Sequence, residues 1–502
     1  MALAGLDIGT SGCKFSIMDE AGQIFGTAYH PYEAVREGGC HELDGNVLWE
    51  AAQWVIKEAA SQCPGVLVEA FAVSTLGESA FPFDKDENII GRGALVTDTR
   101  GMKECGEISE KLGGPERMVE MTSMVPRCTV TIGKVLWIKR HTDIYERATK
   151  FLLTEDMMIY LLTGKRGMSY STAARTMAFD NRTKQWSKEV FDAAGIDMNL
   201  FSPVYPSGTV IGTVKPELAK ELGLSPETKV CTGGMDQACC AIGSGLFKPG
   251  ICLDVTGTCQ CNVVYTEKFM DPRPVVENVF NVIPDALDGG HYIFDGAPSG
   301  GVLLQWFRDN LDKFDKQLAK DQQTDFYKMM DAKVKEGPSG LLITPDFSGM
   351  LRPDRTDRQA VFLGVSLETK PVDIYRGLME GLAFRQRMMF EVFEENGVPI
   401  NEVHATGGGS KSPVWMQLKA DITGRKYTSI KTSEAGTVGC ALLAGLALGK
   451  FPSLREGAKN FVRLGKTYTP NPEMQAAYEK YYQRFRKIGP MVDEILRDEI
   501  DK

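Results

Sequence analysis

Histidine is scarce in this sequence, with five among 502 residues, and none stands at a metal-ligand spacing from another. Cys259 and Cys261 are close together, but no matching Cys or His pair stands nearby, so the ligand set of a zinc site is incomplete. No apolar run is long enough to span a bilayer. There is no Lys/Arg block, and the formal net charge is −9. Both facts argue against nucleic acid or an anionic membrane as main partner. The opening Met-Ala-Leu-Ala-Gly-Leu-Asp has no cationic segment and no long apolar one, so no secretory leader is read there. Several of the twelve cysteines lie in apolar surroundings: Cys231, Cys239, Cys240, Cys252 and Cys440. Unpaired buried cysteine suits a reducing compartment, and a cytoplasmic location is expected. Familiar nucleotide motifs are missing too. Gly-x-x-x-x-Gly-Lys-[Ser/Thr] does not occur. Gly243-x-Gly245 is followed by Lys248 where a dinucleotide fingerprint needs glycine. The protein-kinase His-Arg-Asp and Asp-Phe-Gly elements are absent.

What is present is α/β patterning in duplicate. The length exceeds what one core serves, so two large domains are expected. Leu3 to Ile8 is an apolar run, Gly9-Thr10-Ser11-Gly12 a turn, and Cys13 to Met18 an alternating strand, with a third strand over Gln23 to Tyr32. Asp44 is placed to cap a helix with Val47, Leu48, Ala51, Ala52, Val55 and Ile56 on one face. Phe71 to Thr75 reads as the next strand. Strands followed by helices argue for an α/β fold. At mid-chain, Leu253-Asp254-Val255-Thr256-Gly257-Thr258 echoes Leu6-Asp7-Ile8-Gly9-Thr10-Ser11, which suggests two related halves. The Gly/Pro-bearing stretch Gly243 to Gly250 reads as their linker. The expected division is 1–245, 246–470 and a charged helical tail over 471–502, packed as a helix pair.

The Gly/Thr/Ser turns carry the first functional signal. A turn of this kind exposes backbone N–H groups that bind phosphate oxygens. Gly9 to Gly12, with Lys14 beyond, and Thr256 to Cys259 could grip a triphosphate from two sides of a cleft. The bland alternative is two hairpin turns. A third glycine run, Thr406-Gly407-Gly408-Gly409-Ser410, stands at a strand-to-helix junction and permits close approach of a flat ligand. Asp236, in Gly233-Gly234-Met235-Asp236-Gln237, lies between a strand over Lys229 to Thr232 and a helix from Ala238. A carboxylate at a helix start is stabilised there. It can act as the base that phosphoryl transfer needs, or serve only as a helix cap. Asp7 can hold Mg²⁺ through water.

Taken together, these residues resemble the FGGY carbohydrate kinases, the family of glycerol kinase and xylulokinase. The likeness runs nearly the whole chain. It is carried by Asp7 to Ser11, Gly234 to Gln237, Gly257-Thr258, Ser299-Gly300-Gly301 through Gln305-Trp306, Gly407 to Ser412 with Trp415, and Glu434 to Ala441. The resemblance implies two duplicated actin-like (ribonuclease H-like) domains around an ATP cleft. It implies ATP·Mg²⁺-dependent phosphorylation of a small sugar or polyol, with Asp236 as base and Asp7 and Asp236 on the metal side. Thr10, Ser11, Lys14, Gly257, Thr258, Gly301, Gln305, Gly408, Gly409 and Ser412 would line the nucleotide. Glu78, Asp98, Asp236 and Gln237 would face the sugar. Glycerol kinase grips its polyol with an Arg-Glu pair, and here Gly77 takes the place of that Arg. A ketopentose such as xylulose is expected to fill the space so left. Glycerol kinase proper, or a nucleotide switch of the actin and heat-shock type without a sugar, are the alternatives. A homodimer is compatible with the family.

Overall fold

The computed structural model describes residues 1–286, 289–349, 358–431 and 434–500. Two mixed sheets form its centre. In the first half the strands are β1 (Ala2–Ile8), β2 (Gly12–Met18), β3 (Ile24–Pro31), β4 (Val68–Thr75), β5 (Val210–Thr213) and β6 (Lys229–Met235). In the second they are β7 (Gly250–Thr256), β8 (Gln260–Thr266), β9 (Asn281–Pro284), β10 (His291–Ala297), β11 (Ile400–Thr406), β12 (Lys426–Ile430) and β13 (Leu464–Tyr468). The helices that matter for the site are α1 (Gly45–Ser61), α2 (Thr131–His141), α3 (Asp236–Gly243), α4 (Val302–Asn310), α5 (Pro371–Glu395), α6 (Pro413–Thr423), α7 (Ala435–Ala447) and α8 (Pro472–Ile500).

The sheet orders are β5-β6-β4-β1-β2-β3 and β9-β10-β8-β7-β11-β12-β13. Each contains the same unit. An antiparallel meander (β1-β2-β3, β7-β8-β10) is followed by two parallel strands (β4 and β6, β11 and β12) and an antiparallel edge. The sequence echo around Asp7 and Asp254 thus falls on the first strand of each unit. Residues 244–249 connect α3, which follows the first sheet, to β7, the first strand of the second.

Period-two alternation in β1 covers both faces of the first sheet, as parallel strands require. Ala2, Ala4, Leu6 and Ile8 join the cluster of Leu48, Ala51, Ala52, Val55 and Ile56 on α1. Leu3 faces the other side, with Val438, Ala441 and Leu442 of α7. Asp44 caps α1 as expected, accepting from the Asn46 N–H at 2.9 Å. Val47, however, is exposed and not on the apolar face. Helix α7 therefore packs on the first sheet although in the chain it lies between β12 and β13 of the second. The tail is one helix, α8, not a helix pair. Its Tyr478, Tyr482, Phe485 and Ile488 bury against Phe384 of α5 and Leu418 of α6. Among the described residues no helix is long and apolar enough to cross a membrane.

Candidate active site

Strand register brings the first-half candidates together. β1, β4 and β6 are parallel neighbours, with Ile8 beside Thr75 and Thr75 beside Met235. All three end at one edge of the sheet, and the Gly9 turn, Leu76 to Glu78 and Asp236 leave from it. The carboxyl ends of parallel strands are where such sheets present ligand sites.

Asp236 is the first residue of α3, with Met235 at the cap position. The helix starts two residues earlier than the sequence suggested, so Asp236 is not the cap. Its Oδ1 accepts from the Gln237 N–H at 2.6 Å. Burial pushes its carboxyl up to about 7, reinforced by the charges of Asp7 and Glu78 and opposed by the Gln237 amide and Arg175. The strand leading into it is held by a second carboxylate. Buried Glu155 accepts from Gly233 N–H (2.9 Å), Ser169 N–H (3.1 Å) and Ser169 Oγ (2.8 Å). Ser171 Oγ accepts from Met235 N–H at 3.1 Å. The register shifts between Thr232 and Gly234, a bulge of the kind that re-aims a strand beside a site.

Asp7 accepts from Ser74 Oγ at 2.7 Å. Burial raises its carboxyl, Ser74 and Lys14 oppose this, and Glu434 adds to it. Both carboxylates resist ionisation, Asp236 partly because of Asp7, and a divalent cation held by the two would relieve that repulsion. Lys14 itself is paired with Glu434 at 2.6 Å, which ties the first turn to the start of α7. Thr10 and Ser11 are exposed at that turn. Gly9 N–H donates to Gly12 O at 3.0 Å, and the Tyr32 hydroxyl donates to Gly9 O at 2.5 Å.

Of the residues expected to face a sugar, Glu78 is buried with Arg175 Nη2 at 3.5 Å from its Oε2. The place beside Gly77 is not empty. A Cβ there would stand 2.6 Å from Arg175 Cγ and 2.9 Å from Met235 Cγ. The expected gap is filled by an arginine from another part of the chain. Asp98 is placed differently again. Its oxygens accept from Arg100 Nε (2.9 Å), Arg100 Nη2 (2.6 Å), Arg100 N–H (3.0 Å) and His41 N–H (2.8 Å). Burial would raise its carboxyl, but these bonds outweigh it and hold it low. Asp98 is thus bonded through both oxygens to Arg100 and the His41 backbone. Lys134 of α2 lies near both Glu78 and Asp98, but it is spent on the Leu95 carbonyl at 2.5 Å and the Ala94 carbonyl at 3.3 Å.

In the second half, Gly257, Thr258, Gly301, Gln305, Gly408, Gly409 and Ser412 line one cavity of about 420 Å³. Thr10, Ser11 and Lys14 do not line it; they stand on the first sheet. β7 and β11 are adjacent and parallel, so the turns after Thr256 and Thr406 emerge side by side. Gly407 is needed there, with φ of 85° and a would-be Cβ 2.5 Å from Thr256 O. The start of α4 is clasped to the second turn by Gly301 N–H to Gly257 O (2.8 Å) and Val302 N–H to Thr258 O (3.2 Å). Ser412 caps α6, accepting from Trp415 N–H at 3.0 Å, and donates to Asp331 Oδ2 at 2.7 Å. Asp331 also accepts from the Tyr375 hydroxyl at 3.0 Å.

Sequence reasoning missed Glu155, Arg175, Asp331 and Tyr375, and Tyr327, which lines the same cavity. Arg175 left a trace: it is the lone charged residue in the stretch Ser169 to Phe179. The others carry no local signature.

Comparison with known proteins agrees with this geometry. The FGGY family of carbohydrate kinases is matched by its N-terminal domain at residues 2–243 and its C-terminal domain at residues 253–448. A xylulose kinase of Staphylococcus epidermidis is 28% identical over 502 residues, covering 98% of this chain and 97% of that protein. An autoinducer-2 kinase of Salmonella choleraesuis is 28% identical over 501 residues, covering 97% and 93%. The ligand-bound xylulose kinase of Lactobacillus acidophilus superposes with a TM-score of 0.88 at 23% identity, over 98% of each chain. With both domains matched in order along the chain, it belongs to the FGGY family of carbohydrate kinases and is a carbohydrate kinase with two actin-like domains.

Proposed function

We propose that the protein transfers the γ-phosphoryl group of ATP to a hydroxyl of a small ketose or polyol, with a ketopentose such as xylulose favoured. The observation that carries this reading is the Asp236 carboxyl, raised to about 7 at the end of β6 beside Asp7 and Glu78. A base works best with a pKa near the operating pH. Asp236 would accept the proton of the attacking hydroxyl as its oxygen bonds to phosphorus and ADP leaves. Glu78 and Gln237 would orient the acceptor. The 420 Å³ cavity would take the adenosine end, with the turns at Gly9–Gly12 and Gly257–Cys259 toward the phosphates. Asp7 and Asp236 would hold Mg²⁺, which neutralises phosphate charge when bound. Names of relatives include both xylulose and autoinducer-2 kinases, which favours a short-chain acceptor.

The test is ADP formation with xylulose, ribulose, glycerol, gluconate, autoinducer-2 and no acceptor. Strong dependence on one acceptor, with ketopentoses foremost, is expected. Hydrolysis indifferent to every acceptor would leave a nucleotide switch instead.

A further inference from the structure

Arg175 is 3% exposed, so each of its N–H groups needs a partner or carries a desolvation penalty. Nη1 donates to Asn281 Oδ1 at 2.5 Å. Nη2 donates to Thr129 O at 3.2 Å and lies 3.5 Å from Glu78. Nε–H has no partner among the described residues. A second buried atom, Gln237 Oε1, is equally without one. Both residues adjoin the Asp236 carboxyl. Gln237 follows it and donates its N–H to it, and the Arg175 charge favours its ionised form, while the Arg175 stem, like Met235, lies over Gly77.

The polar inventory of this floor is lopsided. Glu78, Asp236 and Gln237 Oε1 all accept, so they suit hydroxyl groups, which can donate. The Arg175 Nε–H is a fixed, permanently charged donor. An oxygen that carries no proton of its own meets it best, and in a small sugar that is the carbonyl. We propose that Arg175 is a specificity-determining residue whose Nε–H binds the carbonyl oxygen of an open-chain ketose. The site then prefers a ketose over the corresponding alditol. Through Asn281 of β9 the same guanidinium ties the acceptor site to the second half. This rests on the kinase reading above.

The experiment compares kcat/KM for xylulose against xylitol and for ribulose against ribitol, in the wild type, Arg175→Met and Arg175→Lys. The methionine keeps an apolar stem over Gly77, and melting temperatures report folding. The ketose-to-alditol ratio is read on one enzyme sample, so a merely structural defect lowers both rates alike and leaves it unchanged. The wild type should favour the ketoses. Arg175→Met should cut that ratio by roughly 10- to 100-fold, the worth of a charged hydrogen bond, and Arg175→Lys by less. Should the methionine variant fail to fold, a reduced ratio in Arg175→Lys still supports the assignment. A ratio unchanged in a folded variant, or a wild type that prefers alditols, overturns it while sugar phosphorylation stands. A wild type that phosphorylates no acceptor overturns this inference and the kinase reading together.

Discussion

Lys419 Nζ stands 2.6 Å from Asp254 Oδ2, and both side chains are buried. Asp254 occupies on β7 the place that Asp7 occupies on β1. Thr256 Oγ1 donates to Asp254 and accepts from the same lysine at 2.8 Å. Among the described residues no cation forms an ion pair with Asp7. Duplication thus left two equivalent acids, one neutralised inside its own half and one close enough to Asp236 to raise its carboxyl. The asymmetry sets the two halves apart: Asp7 and Asp236 stand together on the first sheet, while the second offers a cavity.

That pairing gives a stability prediction. Removing one member of a buried pair leaves an uncompensated charge, which costs about 3–5 kcal/mol. Lys419→Met should therefore destabilise the protein by that order in urea denaturation. Asp254→Asn added to it should restore part of the loss. A single variant within about 0.5 kcal/mol of wild type, the range of a neutral surface change, would contradict the buried pairing.

Much of this was legible in the sequence. The strand–turn–strand echo located both sheets, because apolar alternation and glycine turns are local signals. Every second-half cavity residue named from the glycine motifs lines the cavity, since backbone turns at strand ends hold their place in any such fold. What failed was long-range. Nothing at Gly77 announces that Arg175, nearly a hundred residues on, fills its side-chain space. Nothing at Asp98 shows that Arg100 and the His41 amide consume it. The placement of α7 on the first sheet is likewise a tertiary fact, invisible in a helix whose residues are small and apolar all round.

Asp236→Asn should lower kcat by roughly 10²–10⁴-fold, the usual worth of a positioned base, with little change in ATP affinity. It should also stabilise the ligand-free protein in a pH-dependent way. The folded carboxyl is raised to about 7, so ionising it opposes folding. That penalty is absent below the ordinary carboxyl value of 3.8, grows between there and 7, and is complete above 7. The asparagine variant should melt higher than wild type at pH 8 and alike at pH 4. Equal melting at both would show that Asp236 carries no such penalty.

Glu78→Ala should raise the KM for the acceptor by roughly 10- to 150-fold, since hydrogen bonds to a charged group are worth about 1.5–3 kcal/mol. The KM for ATP should hardly move. Gly77→Arg should not open the site to glycerol, because its Cβ would press on Arg175 and Met235. Overpacking of this kind costs about 1–3 kcal/mol, and both stability and acceptor use should fall. A gain in glycerol turnover would show that Arg175 yields the space.

Gly243 of α3 and Gly439 of α7 lie where these two helices cross. A Cβ on Gly243 would come 1.9 Å from Ala435 O, and one on Gly439 2.0 Å from Cys239 O. Contact and propensity therefore predict opposite signs for alanine at these sites. Helix propensity alone makes Gly→Ala stabilising by about 1 kcal/mol. The backbone contact cannot give way without separating α3 from α7. That would shift Asp236, which opens α3, relative to Asp7, which lies against Gly436 of α7. We expect Gly243→Ala and Gly439→Ala each to destabilise by 1 kcal/mol or more, the scale of overpacking, and to lower kcat more than a change in folded fraction explains. Gly106, within the helix Met102–Lys111, is the control, because nothing lies within 4 Å of its would-be Cβ. Gly106→Ala should stabilise and leave kcat alone. If all three substitutions stabilise alike, the helices are not in close contact at the crossing, and the link from α7 to the catalytic floor fails with it.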